Sequence, residues 1–326
     1  MARKSVEQIR LENLLDRKAA ALQRKFQTFV SSVKSDAAMK QVRQLLAAGR
    51  THEALDVLDR HVISYSNTIA QEFNSSAQDE IRGLVSAEFL NRLRGEIGIS
   101  FDPTHPRAVA LIRAHRLEFI QQFTNQQRAA VRQAIARAFG TGQGITPMAN
   151  AFRNAIGLTQ QQEAMVASYQ NLLEEGSRRA LDRTLRDRRY DRTVERIADE
   201  NDVLDASQIT RMVDRYRENM IAHRAKTIAR TESLRILSEA RQEALQQITE
   251  EVGIQGYRVA RTWNATKDAR TRDSHTAMDG QTVIGIDEPF LTPDGEYLMY
   301  PGDPNASPGE VINCRCVVTH DILPPE

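Results

Sequence analysis

Leu11, Leu15, Ala19, Leu22, Phe26, Phe29 and Val33 recur at alternating steps of four and three, the seam of an amphipathic helix. Such a seam either zips chains together or packs a helix onto its own domain; the second is the expectation here. A second helix is predicted over residues 36–48, ending at Gly49. A long helical run follows over 51–96, with Thr51 as N-cap, Glu53 in the first turn and an interruption near Asn74, Ser75 and Ser76. Gly98, Asp102 and Pro103 mark residues 97–106 as a linker and a domain boundary.

Beyond it the helices are short and strongly punctuated. Pro106 opens one that carries Val109, Ile112, Leu117, Ile120 and Phe123, and another covers 126–139. Thr146 caps a third with Pro147 in its first position, Gly157 closes it, and Thr159 caps a fourth that Gly176 ends. One or two long helices then cover 207–251. After Gly253 and Gly256 the period changes. Residues 257–262 and 281–286 alternate like strands, 267–278 reads as a short helix, Pro293-Asp294-Gly295 is a turn, and 314–319 forms the last strand. The predicted fold class is mainly α: a helical region over 1–100, a helical body over 101–252 and a small α+β module over 253–326.

Composition adds little to this and charge adds something. Charged residues make up 27% and aromatics 6%, which suits a helical chain better than a β-rich one. The net charge of +1 predicts no bulk attraction to nucleic acid or membrane. The last 70 residues nevertheless hold 6 Lys/Arg against 11 Asp/Glu, so the rest carries +6. Residues 177–196 hold eight arginines interleaved with acids. The pairs Arg178–Asp182, Asp182–Arg186 and Arg183–Asp187 at four-residue spacing predict a salt-bridged, solvated helix, the alternative being a surface for DNA phosphates. No apolar stretch resembles a signal peptide or spans a bilayer, and two cysteines make no disulfide framework, so a reducing aqueous compartment is expected.

Residues 257–320 carry the candidate chemistry, holding the single tryptophan, both cysteines and two of the seven histidines. On a strand, Cys314 and Cys316 would share one face, their Cα atoms ~6.6 Å apart and at the limit for a disulfide. They are either two reduced packed thiols or, with His275, three ligands of a structural zinc, with Asp303, Asp273 or His320 as a fourth. No other cofactor is called for. A metal-independent nuclease using His275 and His320 as acid and base, with Arg270 or Arg272 on the phosphoryl group, is the enzymatic alternative. There is no G-x-S-x-G and no H-E-x-x-H. Upstream, Glu232 falls on the apolar stripe of Ile221, Ala225, Ile228 and Ile236. A buried carboxylate needs a cation, and Arg270, Arg272 or Arg230 is the expected partner.

Taken in order, RAKTIARTE (224–232), W-x-A-x-x-D-x-R-T-R-x-x-H (263–275), M-D-G (278–280), P-G-D-P (301–304) and I-N-C-R-C (312–316) resemble the Mu F-type head morphogenesis proteins of tailed bacteriophages. The likeness runs from about 224 to 316; the helices from about 106 onward are compatible with it, and residues 1–100 match nothing in it. Met278 stands where a leucine is usual. The resemblance implies a non-enzymatic minor head protein of the virion, at or inside the portal vertex, serving head morphogenesis, packaging or DNA ejection. It implies portal protein, major capsid or scaffold protein and phage DNA as partners. It carries the family's motif onto Arg230, Thr231, Glu232, Trp263, Asp268, Arg270, Arg272, His275, Asp279, Gly280, Pro301, Cys314, Arg315 and Cys316. Relatives fused to toxin or ADP-ribosyltransferase domains exist, but 326 residues leave no room for one.

Overall fold

Each residue of the predicted seam, from Leu11 to Val33, is buried on helix α1 (Val6–Val33), so its apolar face is covered within the chain. Ser35 caps α2 (Asp36–Ala47) by accepting from the Ala38 N–H, and Gly49 follows with φ 71°. The computed structural model describes residues 4–84, 101–140, 144–200, 202–251 and 258–323. Helix α3 (Thr51–Leu84) runs unbroken through Asn74-Ser75-Ser76, where an interruption was expected. Ser76 is buried and Ser75 accepts from Lys18 Nζ at 3.3 Å, so these polar residues face helix neighbours and not a turn. The continuation of this helix to residue 96, like the first part of the 97–106 linker, lies outside the described residues.

Helix α4 (Pro106–Gly140) replaces the two helices expected over 106–139. No glycine or proline stands between Arg107 and Phe139, so nothing in the backbone ends it at Thr124. In α5 (Ile145–Ala155) the N-cap is Gly144, without a side-chain cap, and Thr146 lies inside the helix. Pro147 is accommodated there because the first-turn N–H groups have no intrahelical partner. Helix α6 (Gln160–Glu174) has the predicted start: Thr159 and Gln162 form a reciprocal capping box.

The arginine-rich stretch is not the expected continuous helix. Two 3₁₀ turns, Arg178–Asp182 and Arg188–Tyr190, precede α7 (Asp191–Glu200). The ion pairs differ accordingly: Arg186 meets Asp191 at 2.8 Å, Arg189 meets Asp187 at 2.6 Å and Arg178 pairs with Asp199. A single 46-residue helix, α8 (Ala206–Glu251), follows. No helix among the described residues is long and apolar enough to cross a membrane.

The C-terminal part is a small antiparallel region. Strand β1 (Arg258–Asn264) is central between β2 (Thr282–Ile284) and β5 (Val317–Leu323), with Arg261 opposite both Val283 and His320. A two-stranded hairpin joins β3 (Phe290–Leu291) to β4 (Tyr297–Leu298) around the predicted turn, where Gly295 takes φ 87°. Two one-turn helices complete it, α9 (Asp273–Ala277) and α10 (Pro308–Val311). The helix predicted over 267–278 is thus much shorter, since Lys267 takes φ 61° and Asp268 holds the Arg270 N–H in a turn.

The chain divides into two compact units. One comprises residues 1–24, 66–118 and 227–326; the other comprises 25–65 and 119–226. In the first, Leu14 and Leu15 of α1 and Leu234 and Leu237 of α8 pack with Trp263, Met278, Phe290, Leu298 and Val318. In the second, Val166, Tyr169, Val194, Ile197, Met212 and Tyr216 share a core. There Gln127 accepts from the Gly157 N–H at 2.7 Å and donates to the Leu158 carbonyl, holding the turn between α5 and α6.

Candidate functional site: a buried Cys-His cluster and its ties to the long helix

The two cysteines do not lie on the last strand. Strand β5 begins at Val317, and Asn313, with φ 58°, turns the chain out of α10 just before them. Cys314 and Cys316 are both free and both 2% exposed. Their sulfurs each lie 3.4 Å from Nδ1 of His275, which α9 carries from the other side. The packing of Trp263 against this group is edge-on, its ring 5.2 Å from the imidazole. On the far side of the ring, Nε2 of His275 is 2.7 Å from Oε2 of Glu310, close but not aligned as a hydrogen bond. Ser274 Oγ donates to the same carboxylate at 3.0 Å.

The hydrogen bond with Cys316, and the neighbouring His275, hold the Cys314 thiol well below the usual thiol range against the opposing effect of burial. Cys314 and burial together push Cys316 well up. None of the three expected fourth ligands joins the cluster. Asp303 accepts from the Met299 and Asn305 N–H groups, Asp273 is exposed at the start of α9, and His320 accepts from Arg241 Nε at 2.8 Å. Burial, with Arg241 and Arg261 nearby, holds the His320 imidazole well below its usual range. His275 and His320 therefore have separate sets of partners, and no paired acid and base is formed.

Most of the remaining motif residues secure loops. Arg315 forms a two-pronged ion pair with Asp268 at 2.5 Å, and this contact holds Asp268 well below the carboxylate range. Asp279 accepts from the Ala265 N–H at 2.9 Å and pairs with Lys267 at 2.7 Å. Gly280 takes φ 84° and donates its N–H to the Trp263 carbonyl at 2.8 Å. Arg272 donates to the Ile312 carbonyl, whereas Arg270 is exposed and 3.6 Å from Asp268. Thr231 of α8 accepts from the Asn313 N–H at 3.1 Å, and Pro301 accepts from Ser238 Oγ at 2.9 Å. These last two bonds fasten the cysteine loop and the P-G-D-P loop to α8.

Glu232 does need a cation, but not the one expected. Its Oε2 lies 2.7 Å from Nε2 of His115 on α4, and His115 Nδ1 lies 2.9 Å from Glu239. Arg235 completes the network through Glu239 at 2.8 Å and Glu118 at 2.7 Å. Arg270 and Arg272 are occupied by Asp268 and Ile312, and Arg230 is 3.6 Å from Asp16. Burial alone would lower the His115 pKa, but the hydrogen bonds it donates to the two glutamates, and their charges, raise it to about 9.

Sequence reasoning missed Glu239, Glu310 and Arg261. Glu239 stands seven residues after Glu232, so projecting the helix one more step would have put both on one face. Arg261, only 1% exposed, donates to the carbonyls of Gly285 and Met299 at 2.8 and 2.9 Å and to that of Glu288. An arginine on an alternating strand gives no sign of this.

Comparison with known proteins follows the same residues. Residues 170–319 match the family described as Phage Mu protein F like protein. Over 97 residues, 29% of this chain and 30% of the relative, it is 38% identical to the uncharacterized protein YqbB of Bacillus subtilis (strain 168). Over 116 residues, 36% of this chain and 35% of the relative, it is 30% identical to the minor head protein GP7 of Bacillus phage SPP1. The matched stretch thus spans about a third of each of these relatives. No solved structure matches the chain. Residues 170–319, which take in the Cys-His cluster, α8 and the loops fastened to it, are thus similar to the Phage Mu protein F like family.

Proposed function

We propose that this chain is a minor head protein of a tailed bacteriophage, acting without enzymatic chemistry at the portal vertex in head morphogenesis, DNA packaging or genome delivery. The family match over residues 170–319 carries this reading, and the likeness to the minor head protein GP7 of phage SPP1 supports it. Most of the motif residues lend further support, because they hold the fold together. His275 is 1% exposed, and Asp268, Asp279 and Arg315 fasten loops to one another. A module whose motif maintains its own shape suits an assembly part better than a nuclease, whose acid and base must reach a substrate.

The partners follow from that role: portal protein first, then major capsid or scaffold protein, and DNA. Its place is the virion, inside the head or at the portal vertex. Co-expression with the portal protein of the same phage tests it. Both proteins should elute together in gel filtration at low salt, and separate elution of two folded proteins would overturn the portal assignment. Hydrolysis of RNA or DNA by the wild-type chain, abolished in His275→Ala, would overturn the non-enzymatic reading.

A further inference from the structure

Two packed thiols and an imidazole do not by themselves require the arrangement around His275. Both sulfurs lie 3.4 Å from the same atom, Nδ1. A neutral imidazole nitrogen has one in-plane lone pair and accepts one S–H in line, not two. A tetrahedral zinc, ~2.3 Å from each sulfur and ~2.05 Å from nitrogen, sets each S···N separation at ~3.6 Å, close to what is seen. All three ligand atoms lie within 4.8 Å of one another, and all three side chains are buried.

Charge points the same way. Two adjacent buried thiols cannot both ionise unaided, since the first thiolate opposes the second. A dication removes that opposition, and zinc with two thiolates is neutral, which lowers the cost of burial. Thiolate and imidazole donors select zinc over magnesium or calcium. Behind the histidine stands Glu310, 2.7 Å from Nε2, the carboxylate that commonly fixes a metal-bound imidazole. A small pocket lined by Thr266, Thr271, Arg272 and Asn313 adjoins the three side chains.

We propose that His275 Nδ1, Cys314 Sγ and Cys316 Sγ bind one zinc ion, with Glu310 orienting the histidine and a solvent molecule from the adjoining pocket completing the tetrahedron. The ion ties α9 to the loop that precedes β5, two segments that no disulfide joins. The thiol protons pass to solvent on binding, so affinity falls as pH is lowered. None of this depends on the portal assignment.

The test uses the full chain, purified reduced and without chelator. Elemental analysis should find about one zinc per chain. After chelator treatment under reducing conditions, cobalt(II) should bind at one per chain, with thiolate-to-cobalt absorption in the near ultraviolet and the visible bands of a tetrahedral site. If stripping unfolds the module, recovery of the buried Trp263 emission on adding zinc supports the proposal equally. Glu310→Gln keeps all three ligands and should weaken metal binding about 10- to 100-fold. Absence of stoichiometric uptake by reduced wild-type chain would overturn the site. So would cobalt absorption that survives Cys314→Ser together with Cys316→Ser.

Discussion

Glu232 and Glu239 sit one heptad apart on α8 and share a single histidine between them. Since His115 titrates near 9 in the folded chain and near 6.5 otherwise, the fold holds its proton more tightly than the unfolded chain does. The stabilisation is therefore complete below pH ~6.5 and is lost as pH rises through ~9. The unfolding free energy from urea titrations should fall over that window by an amount on the order of 1–3 kcal/mol. His115→Gln should flatten the fall and should lower stability at pH 6 by about 3 kcal/mol, because Glu239 keeps only Arg235. Equal pH profiles in the two proteins would rule this out. The need for a cation at Glu232 was legible in the helical stripe; its identity was not. Helical projection reports which face a residue occupies, and it is silent on which of the other helices lies across from it.

At the scale of elements, the sequence was most legible where a cap or a glycine acts locally. Thr159, Gly49, Gly157, Gly176 and the Pro293-Asp294-Gly295 turn all act within a few residues, and each lies where it was expected. Errors arose where helix ends depend on packing. The gap expected between residues 123 and 126 and the interruption expected near Asn74, Ser75 and Ser76 are both helical, within α4 and α3. The last strand was placed too early because an alternating C-R-C looks like a strand, while Asn313 at positive φ keeps those residues in a loop. Gly302 makes the converse point. It takes φ 86°, and an added Cβ would stand 3.4 Å from the Arg235 amide nitrogen and from Leu234 Cγ. The P-G-D-P loop thus lies against α8 with a Cβ in ordinary van der Waals contact, so the left-handed backbone and not lack of space calls for glycine. Gly302→Ala should cost about 1–2 kcal/mol, from the left-handed backbone alone. Urea unfolding followed by the single tryptophan measures this, and an unchanged midpoint would mean that the loop adjusts freely.

Across the whole molecule, chain order and packing order diverge. Gln8 donates to the Ala265 carbonyl at 3.3 Å, Arg241 joins Glu7 to His320, and Leu14 and Leu15 lie in one core with Trp263. Nothing in the seam of α1 says that its first half is covered by residues of the C-terminal module, because a heptad pattern carries no address. A chain starting at residue 25 should accordingly lose part of that core. Its Trp263 emission should shift to the red, or its unfolding free energy should drop by about 3 kcal/mol or more, given that each large buried leucine removed costs about 2–5 kcal/mol. Unchanged emission and midpoint would show that the module stands without α1.

The pairing of α1 with β5 also sets a clock. Leu11 and Leu15 leave the ribosome early, but Val317 and Val318 are made roughly 300 residues later; at about 5–20 residues per second the delay is about 15–60 s. For that interval the apolar seam near the start of the nascent chain has no native cover from the end. Anything that must keep this protein from associating too soon in the cell, or must engage it before it closes, has that long in which to act.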